Sequence, residues 1–442
     1  MNGSPKETRE PIAKQTASDA FLSLLRPMKI LFVPFGTQGD VEPLFWMADV
    51  LAARGHEPVF LITPHYSWLA EERGFKWYPM GTEEEFMAHM KNPLVWDRIK
   101  GPQIVVAEMG NLLERYASAM DEIQESFEII VTSTLAVGPR TVAESRGIPS
   151  IAVHLQPVLF RSLIDTPVFL AELKWLSRAP RWVKRLVFYA SDVQVWKKGK
   201  QRLNPFRKSL GLAPVKNFYD DAVNGGDGLA ALFPEWFAPK QADWPDRTKL
   251  FGFPLSQVER RPLPQELESF LNAGDPPVLW THGSANLEVR KFQKAALETC
   301  SKLGLRCLLV SLTKPSMELP DYAFHVNRVR FEDVFPRCRA IVHHGGIGTL
   351  ARAIQAGIPQ LIVPQSHDQP DNAVRVEKLG LGRAVPYRKI AKPILTKTLN
   401  EVLESDPIRK NCINFRERAC DELAVERLTD WIESFTSVGK KE

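Results

Sequence analysis

The sequence predicts an α/β protein made of two facing, doubly wound parallel-sheet domains with a cleft between them. Short, wholly apolar runs of strand length recur along the chain. Each is followed by a turn and then by apolar residues at helical spacing. A proline-rich stretch poor in apolar residues, 254–264, divides the chain. Alternation of strand and helix implies a parallel sheet with right-handed crossovers, and the break implies two such sheets. The length of 442 residues suits two or three domains.

The elements follow in order. Residues 1–27 are polar and mixed in charge, and their apolar run, 21–25, is too short for a signal-peptide core, so they read as a flexible leader or at most one short docking helix. Run 29–34 has the length and composition of a buried strand. A glycine-bearing loop, 35–40, leads to Val41, Leu44, Phe45, Ala48, Leu51 and Ala52, which line one face of a helix that Gly55 ends. Run 58–63 is the next strand. The pattern repeats with strands at 129–132 and 151–154 around a helix within 138–146. It repeats again with a strand at 277–281, a helix at 288–303 and strands at 307–312, 339–343 and 360–364. The predicted domains are 28–253 and 271–425, joined by a linker at 254–270. A final helix, 426–442, is expected to pack back on the first domain. Ligands of such sheets bind beyond the carboxyl ends of the strands, which places the site in the cleft.

Composition narrows the function. Apolar residues make up 44% and charged residues 25%, which excludes a disordered or fibrous chain. A net charge of +5 over this length gives no argument for nucleic acid. No apolar run approaches the roughly 18 residues of a membrane span. The five cysteines are odd in number and show no CxxC spacing, so neither a zinc site nor a disulfide framework is expected. A reducing, cytoplasmic setting is the expectation. Segment 171–208 stands apart, with eleven Lys/Arg against two acids and with Trp175, Trp182 and Trp196 interleaved. It reads as a solvated helical insert over the cleft whose aromatics are core. The alternative is a peripheral contact with an anionic membrane surface.

Four turns at strand ends carry the candidate chemistry. His343-His344-Gly345-Gly346-Ile347-Gly348-Thr349 joins a strand to a helix. Glycines there let backbone N–H groups of a helix start approach an anion, and an imidazole and a hydroxyl add donors. Asp368-Gln369, one strand later, offers a carboxylate beside an amide, which suits vicinal sugar hydroxyls. Asp368 is equally a good helix cap. Asp40, just past Gly36 and Gly39, is either a general base or a residue that stabilises the helix dipole. Thr281-His282-Gly283-Ser284 faces the same edge, where Ser284 can meet a diphosphate or Gly283 can equally be only a turn.

These residues resemble the inverting GT-B glycosyltransferases that use nucleotide sugars, in particular the sterol glucosyltransferases and the bacterial antibiotic glycosyltransferases. The likeness rests on 335–349, on Ala356-Gly357-Ile358-Pro359-Gln360, on Asp368-Gln369-Pro370, and on Gly36-Thr37-Gln38-Gly39-Asp40-Val41-Glu42-Pro43. It covers about 28–425. The resemblance implies an N-terminal acceptor domain and a C-terminal donor domain. It implies that His344, Gly346, Gly348, Thr349 and Ser284 meet the donor diphosphate, that Asp368 and Gln369 hold the sugar, and that Asp40 is the catalytic base. Three departures stand out. Arg352 occupies the place of a ribose-binding glutamate. His282 replaces an apolar residue. The base-stacking tryptophan is absent, which leaves Val329 and Phe331 as nucleoside candidates. His154, Gln156, Phe86, Met90 and Trp96 are the acceptor candidates, from strand ends and long N-terminal loops. The expected reaction moves a hexose, glucose by preference, from a UDP- or dTDP-sugar to a hydroxyl of a hydrophobic acceptor such as a sterol, polyketide or lipid alcohol. It proceeds with inversion, and no metal or cofactor is expected. The competing readings are a nucleotide-sugar 2-epimerase, a cell-wall-type N-acetylglucosaminyl transferase, and a non-catalytic nucleotide-sugar-binding subunit.

Overall fold

The computed structural model of the chain describes residues 26–255, 262–283, 289–420 and 423–438. Most of the predicted leader, residues 256–261 of the predicted linker, and Ser284 lie outside these ranges. The first sheet contains β1 (Lys29–Val33), β2 (Glu57–Ile62), β3 (Lys76–Pro79), β4 (Ile129–Ser133), β5 (Ser150–His154), β6 (Gly228–Ala231) and β7 (Thr248–Leu250). Their order is β3-β2-β1-β4-β5-β6-β7, and neighbouring strands are parallel throughout. The second contains β8 (Val278–Thr281), β9 (Cys307–Val310), β10 (Ala323–Val326), β11 (Ala340–His343), β12 (Gln360–Ile362) and β13 (Gly382–Ala384), in the order β10-β9-β8-β11-β12-β13 and again parallel. This is the two-domain α/β architecture predicted from the sequence.

Both sheets are buried on both faces, which is why their strands are continuous apolar runs rather than alternating ones. In β1, Ile30 and Phe32 enter one core while Leu31 enters the core on the opposite face. In β8, Val278 and Trp280 share one core and Leu279 enters the other. Strand order reverses between β1 and β4 and between β8 and β11. A ligand crevice opens at such a reversal, beyond the carboxyl ends of the strands. The loops after β1, β8 and β11 therefore border the place where the two domains meet.

One predicted boundary changes. Part of the expected linker is the helix Gln265–Asn272, whose Leu267 and Leu271 are buried in a core of the second sheet. Two leucines one helical turn apart were the available signal. The last helix, Ala424–Val438, packs on the helix Gln38–Ala53 of the first domain. Arg54 pairs there with Asp430 at 2.6 Å and with Glu433 at 3.0 Å, and Trp431 and Phe435 cover Gly228.

The domains are also tied near the cleft, along the helix Gln369–Leu379. The loop after β5 sends the Val168 amide to Asp371 Oδ1 (2.9 Å) and Asp165 to Arg375 (3.1 Å), and Arg375 in turn bonds Asp371 at 2.7 Å. One turn on, Lys174 pairs with Glu377 at 2.8 Å.

Segment 171–208 is a helical insert containing helices Arg181–Ser191 and Lys197–Ser209. Trp196 packs on Phe218 and Tyr219 as a core aromatic. Trp175 and Trp182 do not; both are exposed. Cys300, Cys307, Cys338 and Cys412 are buried free thiols. No helix among the described residues is long and apolar enough to cross a membrane.

Candidate active site

Asp40 is the third residue of helix Gln38–Ala53, after the N-cap Thr37. Its Oδ2 accepts from the Thr37 amide and the Thr37 hydroxyl, each at 2.9 Å, so it closes a capping box that fixes the helix start. Gln156, from the loop after β5, donates its Nε2 to Oδ1 at 3.3 Å. Burial raises the Asp40 carboxyl above its ordinary value, against the bonds from Thr37 and Gln156. Gly36 is required beside it. Its φ is +124°, and a Cβ there would lie 2.6 Å from Asp40 Oδ2. Gly36→Ala is expected to cost about 1–2 kcal/mol of stability and to slow transfer by displacing the carboxylate. Denaturant melts and initial rates on one preparation check it, and an unchanged rate would detach the loop from the chemistry.

The second domain answers with three strand-end turns. After β11, His343 is structural: Nε2 lies 3.0 Å from Gln360 Oε1, and Nδ1 accepts the Gly345 amide at 3.2 Å. His344 faces the other way. Its ring fills the space between Gly283 and Gly346, where an added Cβ would fall 2.8 and 2.5 Å from it. Its Nδ1 is buried without a hydrogen-bond partner, and burial lowers the imidazole to about 3, so the ring is neutral near pH 7. Gly346 is the N-cap of helix Ile347–Ala356. The amides of Ile347, Gly348 and Thr349 are first-turn donors with no intrahelical acceptor, a ready anion site. After β8, His282 also has an orphaned Nδ1, while its Nε2 lies 2.9 Å from Gln365 Nε2.

After β12, Asp368 caps helix Gln369–Leu379 by position, and its Oδ2 accepts from Asn372 at 2.7 Å. The same Asn372 amide group donates to Gly345 O at 2.9 Å, so it locks this turn to the His344 turn. Burial, and then the charge of Asp40 across the cleft, push Asp368 up to about 7. Gln369 spends its Oε1 on the Gln365 and Ser366 amides, at 2.8 and 3.3 Å, which leaves its amide nitrogen as the group that can meet a ligand. His367 between them has φ +58°, the one positive value at a non-glycine among the described residues. Its ring reaches the first domain at Val95 O, 3.1 Å away.

The remaining candidates divide. Trp96 stands edge-on to His367 at 5.8 Å, and Gln156 holds Asp40, so both belong to the cleft. Phe86, on helix Glu83–Lys91, stacks on His65 and meets Tyr66 edge-on. Met90 is half-buried, and its carbonyl accepts from Trp96 Nε1 at 3.2 Å. His154 is a correction. It is fully buried, with Nδ1 3.1 Å from Thr134 Oγ1 and Nε2 2.8 Å from Asn224 Oδ1, and burial lowers it to about 3. It is a neutral structural imidazole, out of reach of an acceptor. Phe331 stacks on Phe335 at 4.5 Å, and Val329 joins the same apolar cluster, both half-buried. Arg352, where a ribose-binding glutamate was expected, bonds Glu332 at 2.5 Å, so a carboxylate is present at that place from another segment.

Sequence reasoning missed Thr37, Glu332, His367 and Asn372. The i, i+3 pair Thr37/Asp40 is a readable capping-box spacing. The other three depend on contacts between distant segments. No group of three or more His, Cys, Asp or Glu that could hold a metal ion occurs among the described residues.

The family model of the erythromycin biosynthesis protein CIII-like C-terminal domain matches residues 311–427, which include the His344 and Asp368 turns. Glycosyltransferase GtfE of Amycolatopsis orientalis is 31% identical over 366 residues, 81% of this chain and 86% of that protein. The O-mycaminosyltylonolide 6-deoxyallosyltransferase of Streptomyces fradiae is 27% identical over 425 residues, 93% of this chain and 99% of that protein. Among solved structures, the glycotransferase of kitacinnamycin superposes with a TM-score of 0.72 at 21% identity, covering 92% of this chain and 99% of that one. With a relative above 30% identity matched over most of its length, and two parallel sheets of one order that superpose on a solved glycotransferase, the chain belongs to the GT-B nucleotide-sugar glycosyltransferases, the family of the bacterial antibiotic glycosyltransferases.

Proposed function

We propose that the protein transfers a hexose from a UDP- or dTDP-sugar to a hydroxyl of a hydrophobic acceptor, with inversion and with Asp40 as base. The observation that carries this reading is the placement of Asp40 opposite Asp368. Each opens a helix of a different domain, and the charge of one raises the other. A sugar between them has an acceptor for the incoming hydroxyl proton on one side and a partner for its own hydroxyls on the other. Asp40 Oδ1, the less occupied oxygen, takes the proton of the attacking hydroxyl. The oxygen forms its bond to the anomeric carbon from the face opposite the diphosphate. The bond to the phosphate oxygen breaks, and its electron pair leaves with the nucleoside diphosphate. That charge is met by the first-turn amides of helix Ile347–Ala356 and by His344. The reading needs no metal. We assign the Glu332 carboxylate to the ribose hydroxyls.

A hydrophobic acceptor is supported by Trp96 at the cleft and by the relative named for action on O-mycaminosyltylonolide. A mass-spectrometric screen of UDP- and dTDP-sugars against sterols, polyketides and lipid alcohols tests the reading, with the anomer of the product read by NMR. A product of retained configuration, or nucleotide release with an epimerised free sugar, would overturn it.

Asp368→Asn is expected to change the relative use of glucosyl and galactosyl donors while nucleoside diphosphate affinity holds, because a site built around a hydroxyl discriminates strongly at it. Falling nucleotide affinity with fixed sugar preference would mean that the pair is misassigned. The same variant reports on folding. The folded carboxyl sits near 7 against an ordinary 3.8, so ionising it destabilises the fold increasingly from about pH 4 to 7 and fully above. Asp368→Asn should therefore raise the melting temperature more at pH 8 than at pH 5.

A further inference from the structure

Helix Arg181–Ser191 is built inside out. An amphipathic helix of a globular protein buries its apolar stripe and exposes its charges. Here the one buried side chain is Lys184, whose Nζ donates to Leu163 O at 3.0 Å. Trp182, Leu186, Tyr189 and Val193, spaced by four, three and four residues, form a single stripe through the helix and the turn after it. They are 68%, 60%, 66% and 48% exposed. Arg178, Arg181 and Arg185 flank the stripe, all exposed and none in an ion pair among the described residues. The two acids of the segment are neutralised elsewhere: Glu172 by Arg98 at 2.5 Å and Asp192 by Arg161 at 2.7 Å. The face is thus apolar at its centre and edged by Arg178, Arg181 and Arg185, with Asp220 and Asp243 bordering the recess beside Arg185 and Tyr189.

We propose that this face docks the protein on an anionic lipid bilayer. Tryptophan and tyrosine, apolar with a polar tip, suit the boundary between headgroup and acyl chain, and the arginines meet the lipid charge. The helix is short and lies on the membrane rather than through it. Lys184, pinned inward, fixes which side faces out. None of these residues belongs to the cleft machinery, so docking stands or falls apart from the transfer reaction.

The test is co-sedimentation of the full chain with phosphatidylcholine vesicles and with vesicles carrying about 30% phosphatidylglycerol, at about 0.1 M salt. The wild type should partition at least about tenfold better onto the anionic vesicles. Trp182→Ser, Leu186→Ser and Tyr189→Ser together should abolish that gain, as should Arg178→Glu, Arg181→Glu and Arg185→Glu together. UDP or dTDP binding should persist in both variants, which shows that they are folded. Wild-type protein left in the supernatant, or either variant sedimenting as wild type, would overturn the proposal. So would light scattering that shows a wild-type dimer dissociated by the serine variant without vesicle binding, which would make the face a contact between two copies.

Discussion

Asp40→Asn should lower kcat by about 10²–10⁴ while donor affinity and folding persist. The amide oxygen can still accept from the Thr37 amide and hydroxyl that now bond Oδ2, so the helix start is kept. What disappears is the carboxylate proposed to accept the hydroxyl proton. Stability should hold or rise. The folded carboxyl has a higher value than the unfolded one, so the folded chain binds the proton more tightly and ionisation at neutral pH weakens the fold. Removing the charge removes that penalty. One preparation, assayed for melting temperature, UDP- or dTDP-sugar affinity and transfer rate, separates base from cap. Near-normal transfer would return Asp40 to a capping role, and His154 is closed as a substitute because both its nitrogens are occupied.

His344→Ala should cost roughly 2–4 kcal/mol in kcat/KM, a factor of about 30–1,000, the scale for losing one donor to a developing anion. Burial keeps the imidazole neutral near pH 7, so the donor proposed for the diphosphate is a neutral N–H rather than a formal charge. The loss should therefore be nearly flat across pH 6–8. Shortening the side chain also opens a space beside Gly283 and Gly346, and water entering it recovers part of the hydrogen bonding. An unchanged kcat/KM would reduce His344 to a packing residue.

Local pattern made much of this legible. The continuous apolar runs of β1 and β8 and the helical spacing in Gln38–Ala53 are short-range consequences of burial, and the elements follow from them. The glycine turns were legible because glycines at strand ends mark positive φ or close backbone approach. What stayed hidden is non-local. His154 sits at a strand end like a site residue, but Thr134 and Asn224, far off in sequence, close over it. Trp182 and Trp196 look alike in sequence, and only the position of Phe218 and Tyr219 decides which is core. The charge that Asp40 exerts on Asp368 exists only once two domains face each other.

The tie between the loop after β5 and helix Gln369–Leu379 bears on modular engineering. Asp371 and Arg375 are held by Val168 and Asp165 of the other domain, and they lie one and two turns behind the residues proposed to grip the sugar. A hybrid that joins this second domain to a foreign first domain would leave a buried arginine–aspartate pair short of its outside partners. It would also let the Asp368 end of the helix drift. Such an exchange is expected to succeed only when residues 160–178 are grafted to match the helix they clasp.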